Sequence, residues 1–193
     1  SFSLATSLTL NSTGNSSITG NLTLASNSTN PWTVAANRAM TVSGILAGSN
    51  ASITKNGTGT LTLSGNNTYT GTTTINAGTI EIGAAGRLGG GSYSGNIANS
   101  GLLIYSGTNN QILSGILSGN GALTQNNTGT LTLSGNSTYS GTTTISAGVF
   151  EITTTGRLGG GNYTGNIANS GTFNYNSTTD QTLSGIISGA AEL

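Results

Sequence analysis

Charge is the scarcest feature of this chain. Of 193 residues, four are Lys or Arg and four are Asp or Glu, where typical domains are about a quarter charged. The eight are Arg38, Lys55, Arg87, Arg157, Glu81, Glu151, Asp180 and Glu192. Charge this sparse and balanced builds no basic patch, so nucleic acid and anionic membranes are not expected partners. His is absent, which removes Ser-His-Asp triads and His-bearing metal motifs. Cys is absent too, so there is no disulfide framework and no thiolate chemistry. No run approaches the roughly 18 apolar residues of a membrane span, and this segment is not expected to insert into one. The opening, SFSLATSLTL, has no basic stretch and no initiating Met. It reads as the start of a mature or excised piece.

What is present is Gly, at 32 residues, with Ser, Thr and Asn supplying the polar surface. Such a composition ordinarily means disorder. Here 33% hydrophobic residues in regular alternation are enough to fill a narrow core. Leu8-Thr9-Leu10 and Leu22-Thr23-Leu24 are separated by turn-rich clusters such as Asn11-Ser12-Thr13-Gly14-Asn15. Then come Asn30-Pro31-Trp32, Met40-Thr41-Val42 and Ile45-Leu46. Period-2 alternation bounded by Gly, Asn and Ser reads as strand and turn. No apolar face with helical spacing exists, and Gly, Ser, Thr and Asn are all poor in helix interiors.

One stretch occurs twice. Residues 57–100 and 127–170 align at an offset of 70 without a gap, with 33 of 44 positions identical. Within 70 residues about nine strand-like pieces follow one another: Leu61/Leu63, Thr73/Ile75, Ile80/Ile82, Leu88, Tyr93/Ile97, Leu103/Tyr105, Ile112/Leu113, Ile116/Leu117 and Leu123. Three pieces to a coil give about 23 residues per coil, the scale of stacked β-coils. A β-sandwich also has short, evenly spaced strands, but it has no reason to repeat at 70 residues in register. The expected fold is therefore all-β, a right-handed parallel β-helix of about eight coils, with three coils per 70-residue repeat. At ~4.8 Å per coil this is a rod roughly 40 Å long. Residues 1–54 read as divergent coils, 55–124 as repeat one, and 125–193 as repeat two, incomplete at its C-terminal end. Alternation points Leu61, Leu63, Ile80 and Ile82 inward and Thr60, Thr62 and Glu81 outward. Gly65, Gly71, Gly78 and Gly86 are expected to supply left-handed corners, and Asn66 and Asn67 to form ladders along the rod.

The run GTLTLSGNxTYxGTTTIxAG, found within Gly57–Gly78 and as Gly129–Gly148, resembles the autotransporter-associated β-strand repeat of Gram-negative passenger domains. The lead-in Trp32, Ala35-Ala36-Asn37, Thr41-Val42-Ser43-Gly44-Ile45-Leu46 also fits, and similar lead-ins recur at Leu113–Leu117 and Leu183–Ile187. The resemblance is specific over about 32–83 and 113–153. It implies a secreted or cell-surface parallel β-helix of a Gram-negative bacterium, exported through the outer membrane. Neither a signal peptide nor a translocator barrel is recognised in the sequence.

Catalytic constellations are missing. Glycosidic cleavage wants two carboxylates ~5–9.5 Å apart. Glu81 and Glu151, one repeat apart, would lie ~14 Å apart along the rod. No acidic cluster suits calcium, and Gly89-Gly90-Gly91 lacks the Asp of a calcium-binding repeat. No catalytic residue, cofactor or metal is expected, and the chain is read as a non-enzyme. Arg87 and Arg157 recur as Glu81 and Glu151 do, either as a periodic binding site or, the preferred reading, as surface ion pairs across a corner. Tyr69, Tyr93, Tyr139 and Tyr163 recur as well, and corner packing is preferred to stacking on sugars. Ice recognition would need outward Thr pairs on successive coils, whereas Thr72-Thr73-Thr74 returns once per repeat. Two function classes remain. One is an extracellular rod or stalk that stacks end to end, or joins further repeats of the same chain, through unpaired edges near Leu8, Leu10, Ile186, Ile187 and Leu193. The other is an adhesin segment gripping surface glycans or another cell through its Thr/Ser/Asn-rich wall.

Overall fold

A computed structural model describes residues 2–3 and 10–190. The described chain is a parallel β-solenoid with three walls and no α-helix. The second wall is the longest ladder and shows the architecture best. It carries nine strands: Ser16–Ile18, Ala39–Val42, Thr60–Leu63, Thr79–Ile82, Leu102–Tyr105, Ala122–Gln125, Thr143–Ile145, Ile167–Asn169 and Ile187–Ser188. Each pairs in parallel with the next. The first wall runs from Leu10–Ser12 through Ser52–Asn56 and Thr73–Ile75 to Leu117–Ser118. It continues across the Asn136↔Arg157 bridge to Asn162–Tyr163 and Thr182–Leu183. The third wall runs from Leu22–Thr23 and Leu46–Ala47 across the Asn66↔Arg87 bridge, then from Ser92–Tyr93 up to Thr172–Ser177.

Nine rungs stand where the sequence suggests about eight, because the eight steps from Ser17 to Ser188 average about 21 residues rather than 23. Successive partners on the second wall run from Ser17 and Thr41 through Thr62 and Glu81 to Ala168 and Ser188. The steps range from 24 residues, Ser17 to Thr41, down to 19, Thr62 to Glu81. One repeat therefore covers ten strand positions, not nine, and makes three and a third turns rather than three. The strand missed by counting apolar clusters is the piece around Asn67 and Tyr69. It pairs through a bridge, and its inward residues are a buried amide and a phenol. The extra third of a turn moves each repeat one wall on. Thr60–Leu63 lies on the second wall, and its equivalent Thr130–Leu133 on the third. Thr73–Ile75 lies on the first wall, and Thr143–Ile145 on the second.

Alternation sets the core. Thr60–Leu63 and Thr79–Ile82 both show Leu or Ile buried and Thr or Glu half-exposed. Register stacks like on like: Met40, Leu61, Ile80, Leu103 and Leu123 form one inward column. Val42, Leu63, Ile82 and Tyr105 form the next. Trp32, Leu61, Leu63, Ile80 and Leu123 are fully enclosed.

The glycine expectation needs correction. Of the four corners, only Gly78 is left-handed, at φ 69°. Gly65 and Gly86 are there because the coil below is too close. A Cβ on Gly65 would lie 2.2 Å from the Gly44 carbonyl oxygen, and one on Gly86 2.2 Å from that of Leu63. Gly71 is the same case, against Ala51.

One cation is inside. Lys55 is fully enclosed, and its Nζ donates to the carbonyls of Asn56 (2.9 Å), Gly57 (2.7 Å) and Ala77 (3.3 Å). Its equivalent in repeat two, Gln125, donates Nε2 to the carbonyls of Asn127 and Gly129. One equivalent corner carbonyl, that of Gly57 and of Asn127, is thus satisfied by an ammonium in the first repeat and an amide in the second. Burial lowers the Lys55 pKa from 10.5 to about 8 by disfavouring the charged form.

Two expected outcomes follow from the core. Leu61→Ala should cost about 2–5 kcal/mol through the cavity it leaves, and Thr62→Ala, on the outer face, under ~1 kcal/mol; urea unfolding of both reads the difference. Lys55 gives a pH signature. Between about pH 8 and 10.5 an unfolded lysine holds a proton that the folded one has lost, so stability rises with pH in that window. Near pH 10 the buried tyrosines, whose raised pKa values act in the opposite sense, begin to cancel the rise. The urea midpoint should therefore climb from pH 7.5 to 9.5, and Lys55→Gln, which copies repeat two, should flatten that slope.

Candidate functional site

The polar residues that recur with the repeat divide into those that knit coils together and those that face out. The tyrosines knit. Tyr69, Tyr93, Tyr139 and Tyr163 are all buried. They meet in pairs, Tyr69 on Tyr93 edge-on at 5.6 Å between ring centres and Tyr139 on Tyr163 tilted at 5.2 Å. Thr73 Oγ1 lies 2.8 Å from the hydroxyls of both Tyr69 and Tyr93, and Thr143 repeats the arrangement between Tyr139 and Tyr163 at 2.6 and 2.7 Å. Burial pushes the Tyr93 phenol up to about 12. None of these four rings has a face open to a sugar. Thr73 points inward for the same reason, so Thr72-Thr73-Thr74 is not an outward array.

Buried amides do the same work and are not evident from strand patterning. Gln111 reads both backbone groups of Leu88 in the coil below. Its Oε1 accepts from Leu88 N (2.7 Å), and its Nε2 donates to Leu88 O (3.1 Å). Gln181 does this to Leu158 at 2.7 and 3.0 Å. Asn67 Oδ1 accepts from Leu46 N (3.0 Å) while Nδ2 donates to the carbonyls of Gly65 and Arg87. The expected ladder at Asn66 and Asn67 is thus an amide-to-backbone bridge. Side-chain amide pairs do link coils elsewhere, Asn50 to Asn27 and Asn76 to Asn56, each at 2.8 Å. The only signal for Gln111 and Gln181 was their recurrence at an offset of 70.

The charged residues do not converge. Glu81 faces out from the second wall, and Glu151 from the third. Arg87 lies on the third wall and Arg157 on the first. Equivalent charges therefore face different directions and form no common site. The expected ion pairs are not formed among the described residues. Glu81 Oε1 instead accepts from Ser106 Oγ at 2.7 Å, and Glu151 Oε1 from Asn176 Nδ2 at 2.8 Å. No group of three or more metal-ligating side chains comes together among the described residues, and no helix there is long and apolar enough to cross a membrane.

Two kinds of surface remain. One is the outer face of the second wall, where Ser17, Thr41, Thr62, Glu81, Ile104, Thr124, Thr144, Ala168 and Ser188 stand in one column. It is a flat file of short or β-branched side chains with one charge. The other is the pair of end rungs. Leu10 pairs with Trp32 and packs half-buried against the core. At the far end Ile187 pairs with Ile167, and Ile186 is 69% exposed. Leu8 and Leu193, also expected at the ends, lie outside the described residues.

Comparison with known proteins agrees with this geometry. The passenger-associated-transport-repeat family matches residues 53–82 and 123–152, the two stretches containing Thr60–Leu63 and Thr130–Leu133. The adhesin BmaC autotransporter of Brucella suis biovar 1 (strain 1330) is 41% identical over 150 residues, 77% of this chain. The chain spans 4% of that adhesin's length. No solved structure matches. With the repeat's residues, its inward Leu columns and its stacked coils all in place, the chain is a β-solenoid that carries two matches to the passenger-associated-transport repeat and resembles part of an autotransporter adhesin.

Proposed function

We propose that this chain is a non-enzymatic, extracellular structural segment. It is a length of rod that carries other parts of a surface-exposed or secreted Gram-negative protein away from the cell. The observation that carries this reading is the second wall, an unbroken ladder of nine parallel strands from Ser16–Ile18 to Ile187–Ser188. Among the described residues Ile187–Ser188 pairs with Ile167–Asn169 alone, and such an edge can template a further coil. The passenger repeat and the autotransporter relative support the cell-surface setting. The next coil comes either from further repeats of the same chain or from a second copy. Contact between copies is head to tail, which is heterologous and extends into a filament rather than closing. Flat walls with sparse charge and no convergent acid-base group support the non-enzymatic reading.

A second reading is favoured by two observations: the relative's description as an adhesin, and the flat Ser/Thr column on the second wall. In that reading the wall itself grips surface glycans. A glycan array probed with the purified chain tests it directly.

The end-rung reading has its own test. The chain is expected to lengthen into end-to-end oligomers as its concentration rises, and a charged capping coil at each end should hold it as a monomer. Small-angle scattering reads the rod length. A chain that stays one rod long at the highest concentration, without caps, argues for the adhesive stalk and against the fibre.

A further inference from the structure

An asparagine followed by glycine readily loses its side-chain amide, because a residue without Cβ brings its own nitrogen to the asparagine carbonyl carbon unhindered. The sequence has two such pairs, Asn56-Gly57 and Asn120-Gly121, and the fold treats them differently. The Gly121 N–H donates to the Asn99 carbonyl of the coil below at 2.9 Å. Turning that nitrogen toward the Asn120 side chain breaks a bond between coils. Gly57 follows the strand Ser52–Asn56 and is left-handed, at φ 74°. Its N–H reaches no acceptor among the described residues, so its nitrogen turns without that cost.

Two groups around Asn56 favour the attack. Lys55 Nζ donates to the Asn56 carbonyl oxygen at 2.9 Å. That oxygen shares a peptide group with the Gly57 nitrogen, and it takes the charge when the nitrogen loses its proton. A donor placed where charge develops stabilises it, and Lys55, with its pKa lowered to about 8, is mostly a cation at neutral pH. The second group is Asn76, whose Nδ2 donates to Asn56 Oδ1 at 2.8 Å and so polarises the carbonyl that is attacked. Repeat two lacks the set. Gln125 stands for Lys55, Asn126 for Asn56 and Asn127 for Gly57.

We propose that Asn56 is a self-modification site, converted through a cyclic imide while Lys55 stabilises the attacking peptide anion. Gly57 N gives its proton to solvent and bonds to Asn56 Cγ. The Cγ–Nδ2 bond breaks, and Nδ2 takes up a proton and leaves as ammonia. Water then opens the ring at either carbonyl and yields aspartate or isoaspartate at position 56. Nothing is oxidised or reduced. Either product puts a carboxylate beside Asn76 in a chain whose formal net charge is zero, so the rod gains charge as it ages, and at one coil. The proposal needs neither the stalk nor the adhesin reading.

Peptide mapping by mass spectrometry follows the conversion in the 193-residue chain incubated at neutral pH. In the folded chain Asn56 is expected to convert faster than Asn120 by about fivefold or more, the effect of one backbone hydrogen bond, and Asn126 to stay an amide. In the urea-unfolded chain Asn56 and Asn120 should convert at similar rates, because both precede glycine. Lys55→Gln, which copies repeat two, should slow Asn56 in the folded chain by about tenfold and leave Asn120 unchanged. A variant that merely loosens the coils would instead speed both. The proposal is overturned if the ratio of the Asn56 and Asn120 rates is the same folded and unfolded. It is equally overturned if Lys55→Gln leaves the Asn56 rate unchanged or raises it.

Discussion

Every part of this molecule depends on parallel backbone pairing between one coil and the next. A buried N–H or C=O without a partner costs on the order of 1–3 kcal/mol, so each coil must present its strands in register with the coil below. Register in a sheet with one buried face has no slack, because a slip of one residue would turn every inward side chain outward. Stacking then follows. Once Thr60–Leu63 sits over Ala39–Val42, Leu61 must lie over Met40 and Leu63 over Val42. Like-on-like columns are a consequence of pairing, and the hydrophobic columns in turn hold the pairing dry.

The core is too narrow to hide polar atoms by distance, so it satisfies them individually. At the corners the backbone leaves the ladder, and carbonyls point inward. Lys55, Gln111, Gln181 and Asn67 each reach such groups with side-chain donors. Gln125 does so incompletely, since its Oε1 is buried without a partner. The Tyr-Thr-Tyr chains serve a related end, filling a corner with aromatic volume while keeping each hydroxyl bonded. These residues look functional in a list of recurring polar positions. Their partners make them the mortar between coils.

Much of this was legible in the residues. A gapless repeat with period-2 alternation implies stacked strands, and Thr60-Leu61-Thr62-Leu63 shows which face is inward before any coordinate is known. The legible part ends where one-dimensional pattern stops determining three-dimensional neighbours. The piece around Asn67 and Tyr69 has no aliphatic alternation, so apolar pattern alone passes over this strand and leaves the turn count a third short. Gly65, Gly71 and Gly86 looked like left-handed corners because glycine has two uses, and only the neighbouring coil reveals that the second, close approach, applies. Glu81 and Arg87 looked like an ion pair because they are near in sequence. Ser106, 25 residues on, is what Glu81 meets.

The missing third of a turn matters most for function. If a repeat closed on whole turns, every copy of a surface residue would stand on one wall, and a chain of repeats would grow a single continuous stripe. Ten strand positions on three walls prevent this. The same residues must pack equally well on each wall in turn, which explains why all three walls draw on the same inward Leu, Ile and Tyr. Outward positions carry no such demand and are free to vary, as Glu81 between Thr62 and Ile104 does. The recurring charges diverge around the axis, Glu81 and Glu151 on different walls and Arg87 and Arg157 likewise. What the rod offers is length, with inward residues that repeat from wall to wall and outward residues that vary, as Thr62, Glu81 and Ile104 do along one column.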